Sequence, residues 1–256
     1  MRTPLTFFAL VLALSLPFWL LGSLVDVRQW LPIDLPLSSL QAVCPVLAAV
    51  ILLRRQEGPQ AVKMLLRTSL GARSIRPVWW VVVLVTGPAI LAITYVAQVA
   101  LGRSMTELSV DLVPAAILAL VFLISGYTEQ VGWMGYATPP LQERWGALGA
   151  ALAIGLFWAL WHVFPWYVQL DNTIMWTTGQ FSAAVAWRVL FAWVYNNTGA
   201  SVLATVVMQA AFNVATFLYP TYGSHFDPVI TAVVTIVAAV LVASIYGPTT
   251  LQRSRP

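Results

Sequence analysis

Charge is what this chain has least of. Lys, Arg, Asp and Glu make up 9% of its 256 residues, while 60% are hydrophobic. A soluble domain carries about 25% charged residues, so there is too little polar surface here to cover one. The mean hydropathy of +0.83 agrees. Cysteine is nearly absent: Cys44 stands alone in an apolar run, which excludes an internal disulfide and a thiolate metal cluster. Two histidines, His162 and His225, exclude a three-His site. No basic, aromatic-interleaved stretch points to nucleic acid. The expected fold is an all-α, polytopic membrane helical bundle, one membrane-embedded domain over 1–256 with the lipid bilayer as its surroundings.

A span needs about 20 mostly apolar residues. Eight are expected, over about Leu5–Val25, Leu37–Leu53, Trp79–Ala100, Leu112–Tyr136, Gly146–Val168, Phe181–Tyr195, Ala200–Leu218 and Val229–Tyr246. Polar residues interrupt the fourth and sixth. The first follows Arg2 as a secretory signal would, but it is long and no small-x-small cleavage site precedes Asp26 and Arg28; it reads as an uncleaved span. Between the second and third, Lys63, Arg67, Arg73 and Arg76 alternate with Met64, Leu65, Leu66 and Leu70. That pattern suits a helix lying on anionic headgroups, or a solvated connector.

Charge placement sets an orientation. With the amino terminus cytoplasmic, ten of the thirteen Lys and Arg fall on cytoplasmic segments: Arg2, Arg54, Arg55, Lys63, Arg67, Arg73, Arg76, Arg144, Arg253 and Arg255. Arg28 and Arg103 fall outside and Arg188 falls within a span. This positive-inside bias predicts a multi-pass cell-membrane protein with both termini cytoplasmic. The Asn196-Asn197-Thr198 sequon then lies on the cytoplasmic side and reads as a helix-capping turn rather than a glycosylation site.

Ionisable groups at membrane depth cost roughly 2.5–3.5 kcal/mol on insertion scales and face a cavity or each other. Seven of the nine acids, Asp26, Asp34, Glu57, Glu107, Asp111, Asp171 and Asp227, fall in connections, and Glu143 follows Pro139-Pro140 toward an interface. Glu129 instead sits inside the apolar segment Ser125–Tyr136. His162 is embedded in the Trp-rich run Leu156–Trp166, Gln209 and Asn213 share one helix face at i, i+4 spacing, and Arg188 lies on the sixth span. Singly, such residues serve as interhelical packing glue, and Arg188 as a counter-charge for Glu129. Together, a carboxylate base, an imidazole and two amide donors are the equipment for hydrolysing a peptide bond with an activated water.

These segments resemble the CAAX protease and bacteriocin-processing family of intramembrane proteases, which includes the type II CAAX prenyl endopeptidases. The family pattern runs Glu-Glu-x-x-x-Arg, Phe-x-x-x-His, then His-x-x-x-Asn. Glu129-Gln130-Val131-Gly132-Trp133-Met134 matches the first part, with Gln130 for the second glutamate and Met134 for the arginine. Trp158-Ala159-Leu160-Trp161-His162 matches the second with Trp158 for phenylalanine, and Gln209-Ala210-Ala211-Phe212-Asn213 the third with Gln209 for histidine. The resemblance covers about 112–215, the expected protease-like core. It implies Glu129 as catalytic base, His162 as its partner, and Gln209 and Asn213 as the remaining catalytic positions. Trp158, Arg188 and Gln130 are expected on the substrate-binding side. One histidine and one glutamate cannot supply the three protein ligands of a catalytic zinc, so neither metal nor cofactor is expected.

The resemblance implies a glutamate-dependent endopeptidase acting on a lipidated or membrane-associated peptide, or on a bacteriocin-type precursor. The departures at Gln130, Met134 and Gln209 keep open a second reading, a non-proteolytic binding or immunity protein on the same scaffold. A small-molecule transporter would rest on the polar core alone, and no internal repeat supports it. One geometric condition follows from either of the first two readings. His162 and Asn213 lie about 20 Å from the cytoplasmic ends of their spans at 1.5 Å per residue, and Glu129 reaches that depth only if its helix continues past Pro139-Pro140.

Overall fold

The computed structural model describes residues 3–25, 36–72, 75–105, 112–218 and 225–252. Arg2, Asp26, Arg28, Asp34, Arg73, Glu107, Asp111, Arg253 and Arg255, all used in the placement of charge, lie outside the described residues. Helices α1 (Pro4–Leu24), α2 (Cys44–Glu57, entered through a 3-10 run Leu37–Val43), α3 (Pro59–Ser69), α4 (Pro77–Ala100), α5 (Leu112–Gln130), α6 (Thr138–Val163), α7 (Ile174–Asn197), α8 (Val202–Leu218) and α9 (Pro228–Tyr246) form an all-helical bundle, with no strand among the described residues.

Five helical stretches are long and apolar enough to cross a bilayer: Pro4–Leu24, Leu37–Glu57, Pro77–Ala100, Leu112–Gln169 and Pro228–Tyr246. The 58-residue stretch is a hairpin bent at Gly146, so it holds two of the expected spans. α8 is apolar but only 17 residues long. α7 has the length, at 24 residues, but carries Thr, Gln and Arg side chains that lower its hydropathy. The outer faces of α1, α4, α5 and α9 expose Leu20, Val96, Leu112 and Val233 at 59–79%. A soluble protein rarely leaves so continuous an apolar surface bare; a membrane bundle presents it to lipid.

The condition on Glu129 is met by the course of α5 and α6. The fourth span was expected to end at Tyr136, but the chain stays helical. Val131–Ala137 widens into π turns, and α6 then runs through Pro139-Pro140 to Gly146. Proline has no N–H to donate, so the widened turn takes up the break in the i→i−4 ladder and the prolines fall in the first turn of the next helix, where they are tolerated. The reversal comes at Gly146, with φ 70° and ψ 176°, a conformation open to glycine alone. Glu129 lies seventeen residues before Gly146 and His162 sixteen after it. Both therefore reach roughly 25 Å from the bend at 1.5 Å per residue.

The bend is stitched by the carboxyl-terminal segment. Helix resumption at Ala147 leaves N–H groups without intrahelical acceptors. Ala147 N–H donates to the Thr249 carbonyl at 2.7 Å, and Leu148 N–H to that of Pro248 at 2.9 Å. Asn196 and Asn197 hold the same segment through the Thr250 and Leu251 carbonyls at 2.8 and 2.7 Å. The residues of the sequon thus form the last turn of α7.

α3 is a packed helix rather than a loose connector. It buries Leu65 and Ser69 and leaves Lys63, Met64 and Arg67 outward. Leu65 lies over Gly135, where a Cβ would come within 2.9 Å of Leu65 Cδ1. α1 belongs to the core through Phe7, Val11 and Ser15, all fully buried. At the other end of the bundle Asp227 caps α9 and pairs with Arg103 at 2.5 Å. Burial alone would push its carboxyl up; hydrogen bonds from the Ile230 N–H, Arg103 and the Val229 N–H overcome this and hold it below the usual carboxylate range.

Gly146→Ala forces an alanine into a glycine-only conformation, with its Cβ 3.2 Å from the Thr249 carbonyl oxygen. The expected cost is about 1–3 kcal/mol, read as a lowered midpoint of thermal unfolding in detergent; an unchanged midpoint would count against the stitched bend.

Candidate active site

Glu129 sits in the last turn of α5, 5% exposed among apolar side chains. A buried carboxylate needs its lone pairs and its charge met, and three other helices turn side chains toward it. From α6, Trp158 Nε1 donates to Glu129 Oε2 at 2.7 Å. From α8, Gln209 Nε2 donates to Glu129 Oε1 at 2.9 Å. Gln209 Oε1 in turn accepts from Gln130 Nε2 at 2.6 Å, and Gln130 Oε1 accepts from Arg188 Nη1 on α7 at 3.1 Å. Arg188 Nη2 lies 4.0 Å from Glu129 Oε2 and closes the ring.

Two glycines bring these helices close enough. Gly126 on α5 faces the Val206 carbonyl of α8, which a Cβ would approach to 3.2 Å. Gly155 on α6 faces Val185 and Arg188 of α7, which a Cβ would approach to 3.1–3.3 Å. Any larger side chain would hold Gln209 or Arg188 away from the α5 carboxylate.

His162 stands one turn beyond Trp158 on α6. Its Nδ1 lies 2.8 Å from the Trp158 carbonyl oxygen. A carbonyl only accepts, so Nδ1 carries a proton, and a neutral ring then has its lone pair on Nε2. The ring meets Trp158 and Trp161 edge to face and stacks on Trp166 at 4.9 Å and 23°. Aromatic walls on three sides leave the imidazole few orientations.

The structure thus brings Glu129, Gln209, Gln130 and Arg188 into one ring, three hydrogen bonds closed by the Arg188–Glu129 ion contact, with Trp158 bonded to Glu129 and His162 packed on Trp158. Asn213 is half-buried one turn beyond Gln209 on α8, outside the ring. Gln130 and Arg188 are 0% and 1% exposed, so they face the ring and not an open surface. The aromatic cage went unread in the sequence: Trp133 and Phe191 beside Arg188, and Trp166 against His162. Its signal was present, since Trp158 and Trp166 lie four residues either side of His162. No group of three His, Cys, Asp or Glu able to hold a metal occurs among the described residues.

Two comparisons with known proteins find similarity. A family model described as type II CAAX prenyl endopeptidase Rce1-like matches residues 111–215, which span α5 to α8 and every residue of the ring. A protein named CAAX prenyl protease 2, from Methanococcus maripaludis, is 22% identical over 187 residues, covering 67% of this chain and 68% of its own length.

Gln209→Leu would leave Glu129 Oε1 and Gln130 Nε2 without partners at once. Each orphaned buried group costs about 1–3 kcal/mol, so thermal unfolding in detergent should fall well below that of wild type. A midpoint equal to wild type would mean the ring does not hold these helices together.

Proposed function

We propose that this chain, similar in both matches to CAAX-type intramembrane proteases of the Rce1-like kind, hydrolyses a peptide bond with a water activated by Glu129. The observation that carries the proposal is the state of the carboxylate. It is buried and held by one directed donor on each oxygen, while a carboxylate can accept about four hydrogen bonds. Each oxygen therefore keeps a lone pair for a water.

Glu129 takes a proton from that water as the oxygen attacks the scissile carbonyl. His162 Nε2 accepts the water's second hydrogen bond and aligns it. The carbonyl oxygen becomes an oxyanion, which the second N–H of Gln209 and the amide of Asn213 stabilise; one such donor is worth roughly 2.7–4 kcal/mol. The proton held by Glu129 then passes to the leaving nitrogen, with His162 as the relay. By family, the substrate is a CAAX-type peptide bearing a lipid, reaching the site from the bilayer. We place both termini on the cytoplasmic side, from the exposed Arg54, Arg55, Lys63, Arg67, Arg76 and Arg144.

A second reading, a binding or immunity protein without protease activity, is favoured by one observation. Gln130 and Gln209 form a closed amide pair where the resembled motif has an acid and an imidazole.

Cleavage of a prenylated peptide in detergent separates the two. Glu129→Gln and His162→Ala should each lower kcat by about 10²–10⁴, with thermal unfolding confirming intact folds. Cleavage should continue in EDTA, since neither the base nor its partner depends on a metal. Undiminished cleavage by Glu129→Gln would sink the mechanism, and a wild type that binds the peptide without cutting it would establish the second reading.

A further inference from the structure

Arg188 takes no part in the proposed proton transfers. It enters the site from the middle of α7 and is 1% exposed, where an unmet charge is heavily penalised. Nη1 reaches Gln130 at 3.1 Å and Nη2 stands 4.0 Å from Glu129. The guanidinium lies 4.3 Å over the Trp158 ring, with Phe191 and Trp133 at 5.3 and 5.6 Å. These rings fix its plane and add cation–π attraction. Nε and Nη2 have no hydrogen-bond acceptor among the described residues, so the group is held chiefly by the carboxylate's charge and the aromatic faces.

Met134 explains the place it occupies. It lies four residues beyond Gln130 on the widened segment between α5 and α6, 2% exposed. Met134 and Arg188 flank one narrow gap, too small for a water molecule, with Thr138, Ala151, Ile154 and Ala192 as its other walls. Side chains from positions 134 and 188 therefore border the same gap from different helical segments. The first holds a thioether and the second the cation.

We propose that Arg188 is the positioning residue of this site. From α7 it fills the place that a cation at position 134 would take, holds the Glu129–Gln130 pair from behind, and offsets the carboxylate's charge. The two positions are then interchangeable sources of one positive charge. With a single cation present, Glu129 alone balances it, which accounts for an uncharged Gln130 beside it.

A double-mutant cycle tests this without requiring activity. Met134→Arg and Arg188→Gln should each lower the thermal midpoint in detergent, and the double variant should recover above Arg188→Gln. Arg188→Lys, which keeps the charge, should fall between wild type and Arg188→Gln and covers the case in which the glutamine variant does not fold. Additive effects of the two substitutions would overturn the exchange.

The kinetic arm rests on the reading of Glu129 as base. Arg188→Gln should lower kcat by about tenfold to hundredfold with KM within about twofold, and the relocated arginine should restore kcat. Wild-type kcat in Arg188→Gln would overturn the positioning role. Undiminished cleavage by Glu129→Gln would instead overturn the catalytic reading, and the unfolding cycle would still decide the exchange.

Discussion

The Glu129 carboxylate, 5% exposed in an apolar bundle, costs several kcal/mol unless charge and lone pairs are both met, and the arrangement of α5 to α8 follows from meeting them. Trp158 and Gln209 satisfy one oxygen each, Gln130 fixes the orientation of Gln209, and Arg188 fixes Gln130 while offsetting the charge. The three groups that face the carboxylate, Trp158, Gln209 and Arg188, come from three other helices, so none can be supplied locally. The small residues where these helices cross, Gly126 and Gly155, are the packing counterpart of the same constraint.

Depth is the second constraint, and the hairpin meets it. In the proposed reaction a carboxylate on one helix and an imidazole on the next share a water, which requires both to stand at the same level. The bend at Gly146 places Glu129 and His162 at nearly equal chain distance from it. The bend depends in turn on the carboxyl-terminal segment, whose carbonyls receive the N–H groups of Ala147 and Leu148. Residues 247–252, remote from Glu129 and His162 in sequence, therefore brace the bend of the hairpin that carries both.

Much of this was legible in the residues themselves. Glu129, His162, Gln209 and Arg188 stood out because acids, imidazoles, amides and cations are costly in apolar helices, and the structure gathers them. What a linear reading misses are interactions that cross helices. The pairing of Arg188 with Gln130 needs the crossing of α5 and α7, which no periodicity encodes. The continuation past Tyr136 was hidden because Pro139-Pro140 looks like a stop until a π turn is placed before it. α7 begins at Ile174 rather than near Phe181 because Thr173 caps it, and its polar Thr177, Thr178 and Gln180 masked the helix in a reading based on apolar runs.

The departures from the resembled motif form a set rather than scattered losses. Removing an acid at 130 and a cation at 134 leaves the local charge unchanged, and Arg188 supplies a cation to the carboxylate that remains. Glutamine at 209 keeps a donor for Glu129 and an acceptor for Gln130 in one side chain, as a neutral imidazole would. A network serving support alone would be complete once it closed. This one closes with a lone pair spare on each oxygen of Glu129, a second N–H spare on Gln209, and the Nε2 of His162 turned away from its backbone anchor. In the proposed reaction those are the groups that a water and a developing oxyanion engage, and the ring leaves them unconsumed.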